Sequence, residues 1–162
     1  MLQTGQGSDS FESDREVTSR LLNNLDTQLQ VIVEQKLLRP LDVDVGHARP
    51  RRAESWRSQR SLRNIAVNLA ALQELYLTGF APLLLERPGG AELDGRLRNA
   101  FSEALAAVQA IDQPLLAIGR DPAQRPALDR LLSKCRDLKA LTGGALPQAL
   151  DIPLGFNSLD GD

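Results

Sequence analysis

The chain has little of what small reactive sites are usually built from. Its 162 residues hold one cysteine (Cys135), one histidine (His47), one tryptophan (Trp56) and one tyrosine (Tyr76). A lone cysteine excludes an intrachain disulfide and a Cys-based zinc site, and it leaves the redox compartment open. Cys135 falls on an apolar helical stripe and reads as a small buried side chain. A lone histidine argues against a multi-histidine metal centre or a serine triad with a histidine to spare. Aromatics make up 4% of the chain, so Leu, Ile, Val and Ala must build the core. A formal net charge of -2 gives no global attraction to nucleic acid or a membrane surface. No apolar run reaches the length of a membrane span. Residues 1–12 have neither a basic start nor an apolar stretch, so they are not a signal peptide. If the natural protein is exported, its signal lies upstream and Met1 is the start of a fragment. Gly-rich phosphate loops, His-Glu-x-x-His helices and Gly-x-Ser-x-Gly elbows are all missing.

What is present is leucine and alanine at helical spacing. The length fits one domain, with 1–12 a disordered or linker N-terminus and 13–162 a helical bundle. Ser13 and Glu16 form a capping box, followed by a stripe of Val17, Leu21, Leu25, Leu29 and Ile32. Pro40 is expected to end this helix, which is placed at 13–38. Residues 39–53 read as a loop, with Val43 and Val45 marking a short extended piece. A second helix is predicted over 54–79 from Leu62, Ile65, Leu69, Leu72 and Tyr76, closed by Gly79 and Pro82. Pro88-Gly89-Gly90 is a turn. Leu93, Leu97, Phe101, Leu105 and Val108 predict a third helix over 91–113. Asp121 as N-cap and Pro122 open a fourth, whose stripe runs from Leu128 to Leu141 and stops at Gly143-Gly144. A helical turn at 146–150 and an irregular tail complete the chain. The expectation is an all-α, up-down-up-down four-helix bundle with an irregular C-terminal tail.

Arg49, Arg51, Arg52, Arg57, Arg60 and Arg63 crowd one short region, offset there only by Glu54. The planar guanidinium grips carboxylate or phosphate with two parallel bonds. On a helix, Glu54, Arg57, Ser58 and Ser61 would share a face. Two readings stand: a solvated basic helix entry with Trp56 plugging the core, or an anion-binding or polar interface face. Nucleic acid is disfavoured because the cluster is small and lacks interleaved aromatics. The terminal Asp160-Gly161-Asp162 reads as a frayed acidic end or as a tail that docks on the arginines. His47 reads as an exposed loop residue; a metal there would need Asp42 or Asp44 as partners.

Three stretches in order resemble the imelysin-like family (iron-regulated protein A-like, peptidase M75 type). They are LLNNLDTQLQVIVEQKLLRPL at 21–41, AESWRSQRSLRNIAVNLAALQELY at 53–76 and LGFNSLDGD at 154–162. The resemblance covers about 13–162 and is to the family's C-terminal half. It implies an exported helical protein of the periplasm or outer membrane, associated with bacterial iron uptake. Some family members are labelled metallopeptidases. The family's Gly-x-His-x-x-Glu element is missing, because Gly46 directly precedes His47. The resemblance therefore implies no cofactor in this chain, and leaves any metal ion (iron, zinc or calcium) to the complete protein. It implies a partner, an N-terminal imelysin-like half in the same protein or a separate chain. Trp56, Arg57 and Ser58, and Phe156, Asn157, Asp160, Gly161 and Asp162, match family motifs and are expected near the contact between the halves. Trp56, Arg57, Ser58, Glu54, Asn157, Asp160 and Asp162 are the ligand or interface candidates; none is expected to be catalytic. A metallopeptidase completed by the missing half and a plain helical interaction module are the competing readings. A missing half also predicts an exposed apolar patch on this one.

Overall fold

The computed structural model describes residues 13–153. Five α-helices form within them, four of them long. Helix α1 spans 14–41, α2 spans 61–85, α3 is Gly90–Gln109, α4 is the short Leu115–Ile118, and α5 spans 125–150. The long helices run alternately up and down, and each packs beside its neighbours in a ring of α1, α2, α3 and α5. One cluster of buried side chains fills the middle, dominated by leucine with Tyr76, Phe80 and Phe101 as its largest members. Each such side chain contributes about 1.5–3 kcal/mol on burial. Ser13 caps α1 as its sequence predicts, its Oγ accepting the Glu16 N–H at 3.2 Å.

Three predicted helix ends are passed through instead. Helix α1 continues beyond residue 38 through Pro40, α2 continues beyond Gly79 through Pro82, and α5 continues beyond Gly143-Gly144 through Pro147. In each case a π-helical segment precedes the proline: Val31–Leu38, Tyr76–Phe80 and Leu141–Ala145. A proline lacks its N–H and crowds the carbonyl four residues back. A turn closed five residues apart widens the helix there and takes up that misfit. The buried residues show the same change of pitch. They recur at strict intervals of four through these segments: Leu29, Val33, Leu37, Leu41; Leu72, Tyr76, Phe80, Leu84; and Leu138, Thr142, Leu146, Leu150. A plain α-helix turns about 100° per residue, so a spacing of four drifts by about 40° each step. The wider turn rotates less per residue and keeps the stripe on the core.

The other boundaries shift more simply. Residues 54–60 form a turn rather than the start of α2, which begins at Ser61. Helix α3 stops at Gln109, short of 113. Asp121 caps a turn, its Oδ1 accepting the Ala123 N–H at 2.9 Å, and α5 starts at Arg125. Val43 and Val45 lie in a turn, not an extended piece. At the α2–α3 corner a Cβ on Gly90 would sit 1.8 Å from the Leu84 carbonyl oxygen, so only glycine fits.

The apolar patch expected of a half-protein is not seen among the described residues. The exposed large hydrophobics are Val43, Val67, Leu83 and Leu85, spread from one end of the bundle to the other. No helix among the described residues is long and apolar enough to cross a membrane.

Candidate functional site

The connection from α1 to α2 carries the predicted site residues. Its start is fixed by α5: the buried Arg125 donates through Nη1 to Leu41 O and through Nη2 to Asp42 O, both at 2.9 Å. These bonds satisfy carbonyls that the end of α1 leaves without intrahelical partners. Arg49 N–H then donates to Pro40 O at 2.7 Å, and Pro50–Arg52 makes one 3₁₀ turn. Residues 53–60 follow as a tight turn with Ser55 at φ 57° and Gln59 at φ 58°. Left-handed geometry at two non-glycine positions costs about 1–2 kcal/mol each, which the surrounding bonds must outweigh.

Those bonds involve several of the predicted residues. Glu54 pairs with Lys36 of α1 at 2.7 Å, and its carbonyl accepts Ser61 Oγ at 2.5 Å. Lys36 is nearly buried, at 13% side-chain exposure. With the Asn68 amide oriented to satisfy both its atoms, its oxygen accepts from Lys36 Nζ at 2.8 Å. Ser58 Oγ donates to Ser55 O at 3.1 Å, and Asn64 Nδ2 donates to Ser55 Oγ at 3.1 Å. Glu54 and Ser58 therefore hold the turn. The helical face proposed for Glu54, Arg57, Ser58 and Ser61 does not form, because 54–60 is not helical.

Arg57 is exposed on this frame, beside Trp56. Trp56 is half-buried against the core, with the Arg57 guanidinium 4.8 Å and the Arg51 guanidinium 5.7 Å from its ring centroid. Both lie within the range of cation–π attraction. Arg51, Arg52, Arg57, Arg60 and Arg63 form no ion pair among the described residues. Trp56, Arg57, Ser58 and Glu54 are thus on one turn: Glu54 and Ser58 hold it, Trp56 packs partly against the core, and Arg57 is exposed. Asn157, Asp160 and Asp162, and the docking of the acidic tail, lie outside the described residues.

Two further groups carry reactive side chains. His47 Nδ1 lies 2.8 Å from Asp44 Oδ2, and Asp44 Oδ1 also accepts the His47 N–H at 3.0 Å. The hydrogen bond to Asp44 raises the imidazole above its ordinary value, and the same bond lowers Asp44. Both are exposed, and among the described residues no three His, Cys, Asp or Glu converge as metal ligands. Cys135 is fully buried, and burial pushes its thiol up to about 12, which suits packing rather than nucleophilic attack.

The family model for imelysin, Peptidase M75, matches residues 2–142. The chain belongs to the imelysin family. The match spans α1 to the start of the wide turn in α5 and includes the whole Trp56 turn. It ends before the terminal Gly-Phe-Asn motif, which the imelysin assignment therefore does not rest on. No curated protein and no solved structure shows significant similarity to this imelysin-like chain.

Sequence reasoning found the arginine cluster and the tryptophan. It missed Lys36, Arg120 and Arg125, which reach the turn from other helices or from a connection some 70 residues away. Only Gly119 hinted at the last contact: a Cβ there would lie 2.6 Å from Pro50 Cγ.

Proposed function

We propose that this chain is the non-catalytic, recognition half of an exported imelysin-like protein associated with bacterial iron uptake. In this reading the Trp56 turn presents a polar face to a site shared with an N-terminal half bearing Gly-x-His-x-x-Glu. One observation carries it. Two guanidiniums flank the only tryptophan on a strained, heavily bonded turn, and neither has a carboxylate partner among the described residues. Strain held in place by surrounding bonds concentrates at functional positions. The lack of a broad apolar patch among the described residues counts against a missing half, so the reading rests on the Trp56 turn alone.

The test mixes this chain with a separately produced N-terminal imelysin half and measures association by calorimetry, metal content and proteolysis. The reading expects salt-sensitive association that Trp56→Ala with Arg57→Ala weakens, and metal held only when the N-terminal half is present. Stoichiometric metal in this chain alone would overturn it, as would no association. Proteolysis appearing only on mixing would favour the metallopeptidase reading, which the family's name supports.

A further inference from the structure

Beside the Trp56 turn, on the other side of Arg51, lies a cleft of about 580 Å3 lined by Arg49, Pro50, Arg51, Arg52, Leu116 and Arg120. Four of these six residues are arginines and none is acidic. Arg49, Arg51, Arg52 and Arg120 make no ion pair among the described residues. The adjacent Asp121 already accepts the Ala123 N–H.

The walls are fixed. Arg52 N–H donates to Arg49 O at 2.8 Å and Ala53 N–H to Pro50 O at 3.1 Å, closing the 3₁₀ turn. Across the cleft Arg120 donates through Nε to Ala48 O at 2.8 Å. That bond uses one edge of the guanidinium and leaves both terminal nitrogens without partners among the described residues. Gly119 lets the two segments approach, since any Cβ would collide with the Pro50 ring and the Leu115 carbonyl. The four arginines thus line one cleft on a backbone that cannot easily spread them apart.

Like charges gathered this way repel one another. An oxyanion between them reverses the sign of the arrangement, because each guanidinium fork matches a carboxylate or phosphate. The volume suits a small molecule. Pro50 and Leu116 offer a short apolar floor. The chain as a whole is negative, which disfavours a long polyanion running over the surface.

We propose that this cleft binds a small polyanion carrying two or more carboxylate or phosphate groups on a short skeleton. The site needs only this chain and does not rest on the shared-site reading. Trp56 supplies the readout, because Arg51 lies over its ring and a ligand that draws Arg51 into the cleft changes the indole's surroundings. The full chain is titrated with citrate and with pyrophosphate, with sodium chloride at matched ionic strength as control, following Trp56 emission and heat. A saturable response to either polyanion is expected, with Kd at or below about 1 mM. Arg51→Ala with Arg52→Ala should weaken it at least about tenfold. Arg60→Ala with Arg63→Ala, outside the cleft, should not, and circular dichroism should show both variants folded. A signal that follows ionic strength equally in all three salts overturns the proposal. So does an equal loss in both double variants, which would mean diffuse attraction. Neither result bears on association with a second half.

Discussion

The two ends of the bundle treat charge in opposite ways. At the end where α2 turns into α3, the buried carboxylate is matched. Tyr76 donates its hydroxyl to Asp94 Oδ1 at 2.7 Å, and Arg98 Nε donates to Asp94 Oδ2 at 2.7 Å. The Tyr76 ring stacks on Phe101 at 5.6 Å. Burial pulls the Asp94 carboxyl up, but the bonds from Arg98 and Tyr76 outweigh it and hold it below the ordinary carboxylate range. Burial also drives the Tyr76 phenol well above its usual value, so it stays a donor. At the other end, Arg49, Arg51, Arg52 and Arg120 line one cleft with no acid among its lining residues. One end uses charge to close a corner, while the other holds charge in reserve. A polar network satisfied within the chain contributes to stability, whereas unmatched charge on a fixed frame marks where something else binds.

The largest effect is expected where the matched end is tightest. Gly90→Ala should cost about 3 kcal/mol or more, because its Cβ meets backbone rather than a movable side chain. Urea unfolding would measure this, and a loss under 1 kcal/mol would show that the corner can relax. Tyr76→Phe should cost about 1.5–3 kcal/mol, the range for a hydrogen bond to a charged partner. The pH dependence has a definite sign. Asp94 is depressed in the folded state, so its contribution is present above the unfolded value near 3.8 and is lost as pH falls through the folded value. Asp94→Asn should therefore lower stability at pH 7 and flatten its decline in acid.

The arginine end should behave in the reverse sense. Arg51→Ala with Arg52→Ala should leave stability within about 0.5 kcal/mol of wild type. At low salt it should raise Tm slightly, and thermal unfolding across a salt series checks the sign. A clear loss at every salt concentration would make these arginines structural and erase the contrast between the ends. The smallest effect belongs to His47. Its raised value means that its pairing with Asp44 is present below the unfolded value near 6.5 and fades as pH rises through the folded one. An NMR titration should place the imidazole above its ordinary range, and Asp44→Asn should return it.

Much of this architecture was legible from spacing. The Ser13 cap, the apolar stripes and the Pro88-Gly89-Gly90 turn set the count and direction of the long helices. The departures share a cause: Pro40, Pro82 and Gly143-Gly144 are breakers by local rules, and the π segments carry the helices past them. A contrary signal is in the sequence as well, because apolar positions run on at intervals of four past the expected ends, as in Leu29, Val33, Leu37 and Leu41 or Leu72, Tyr76, Phe80 and Leu84. At the site, the cluster of arginines beside Trp56 was visible in one dimension. Its division into bonded and presented residues was not, because Lys36, Arg120 and Arg125 arrive from elsewhere in the bundle. Glu54 illustrates the difference. Its charge suggested a ligand contact, and its geometry commits it to Lys36.

The burial of Cys135 has a practical consequence. Its thiol is sealed in the core, so a cysteine introduced at Arg52 or Arg120 would be the only one open to a maleimide dye. Trp56 is equally solitary and sits beside the same cleft. The native chain thus comes with a donor fluorophore and no competing attachment point. Arrival of a ligand in the arginine cleft can be followed by energy transfer after a single substitution.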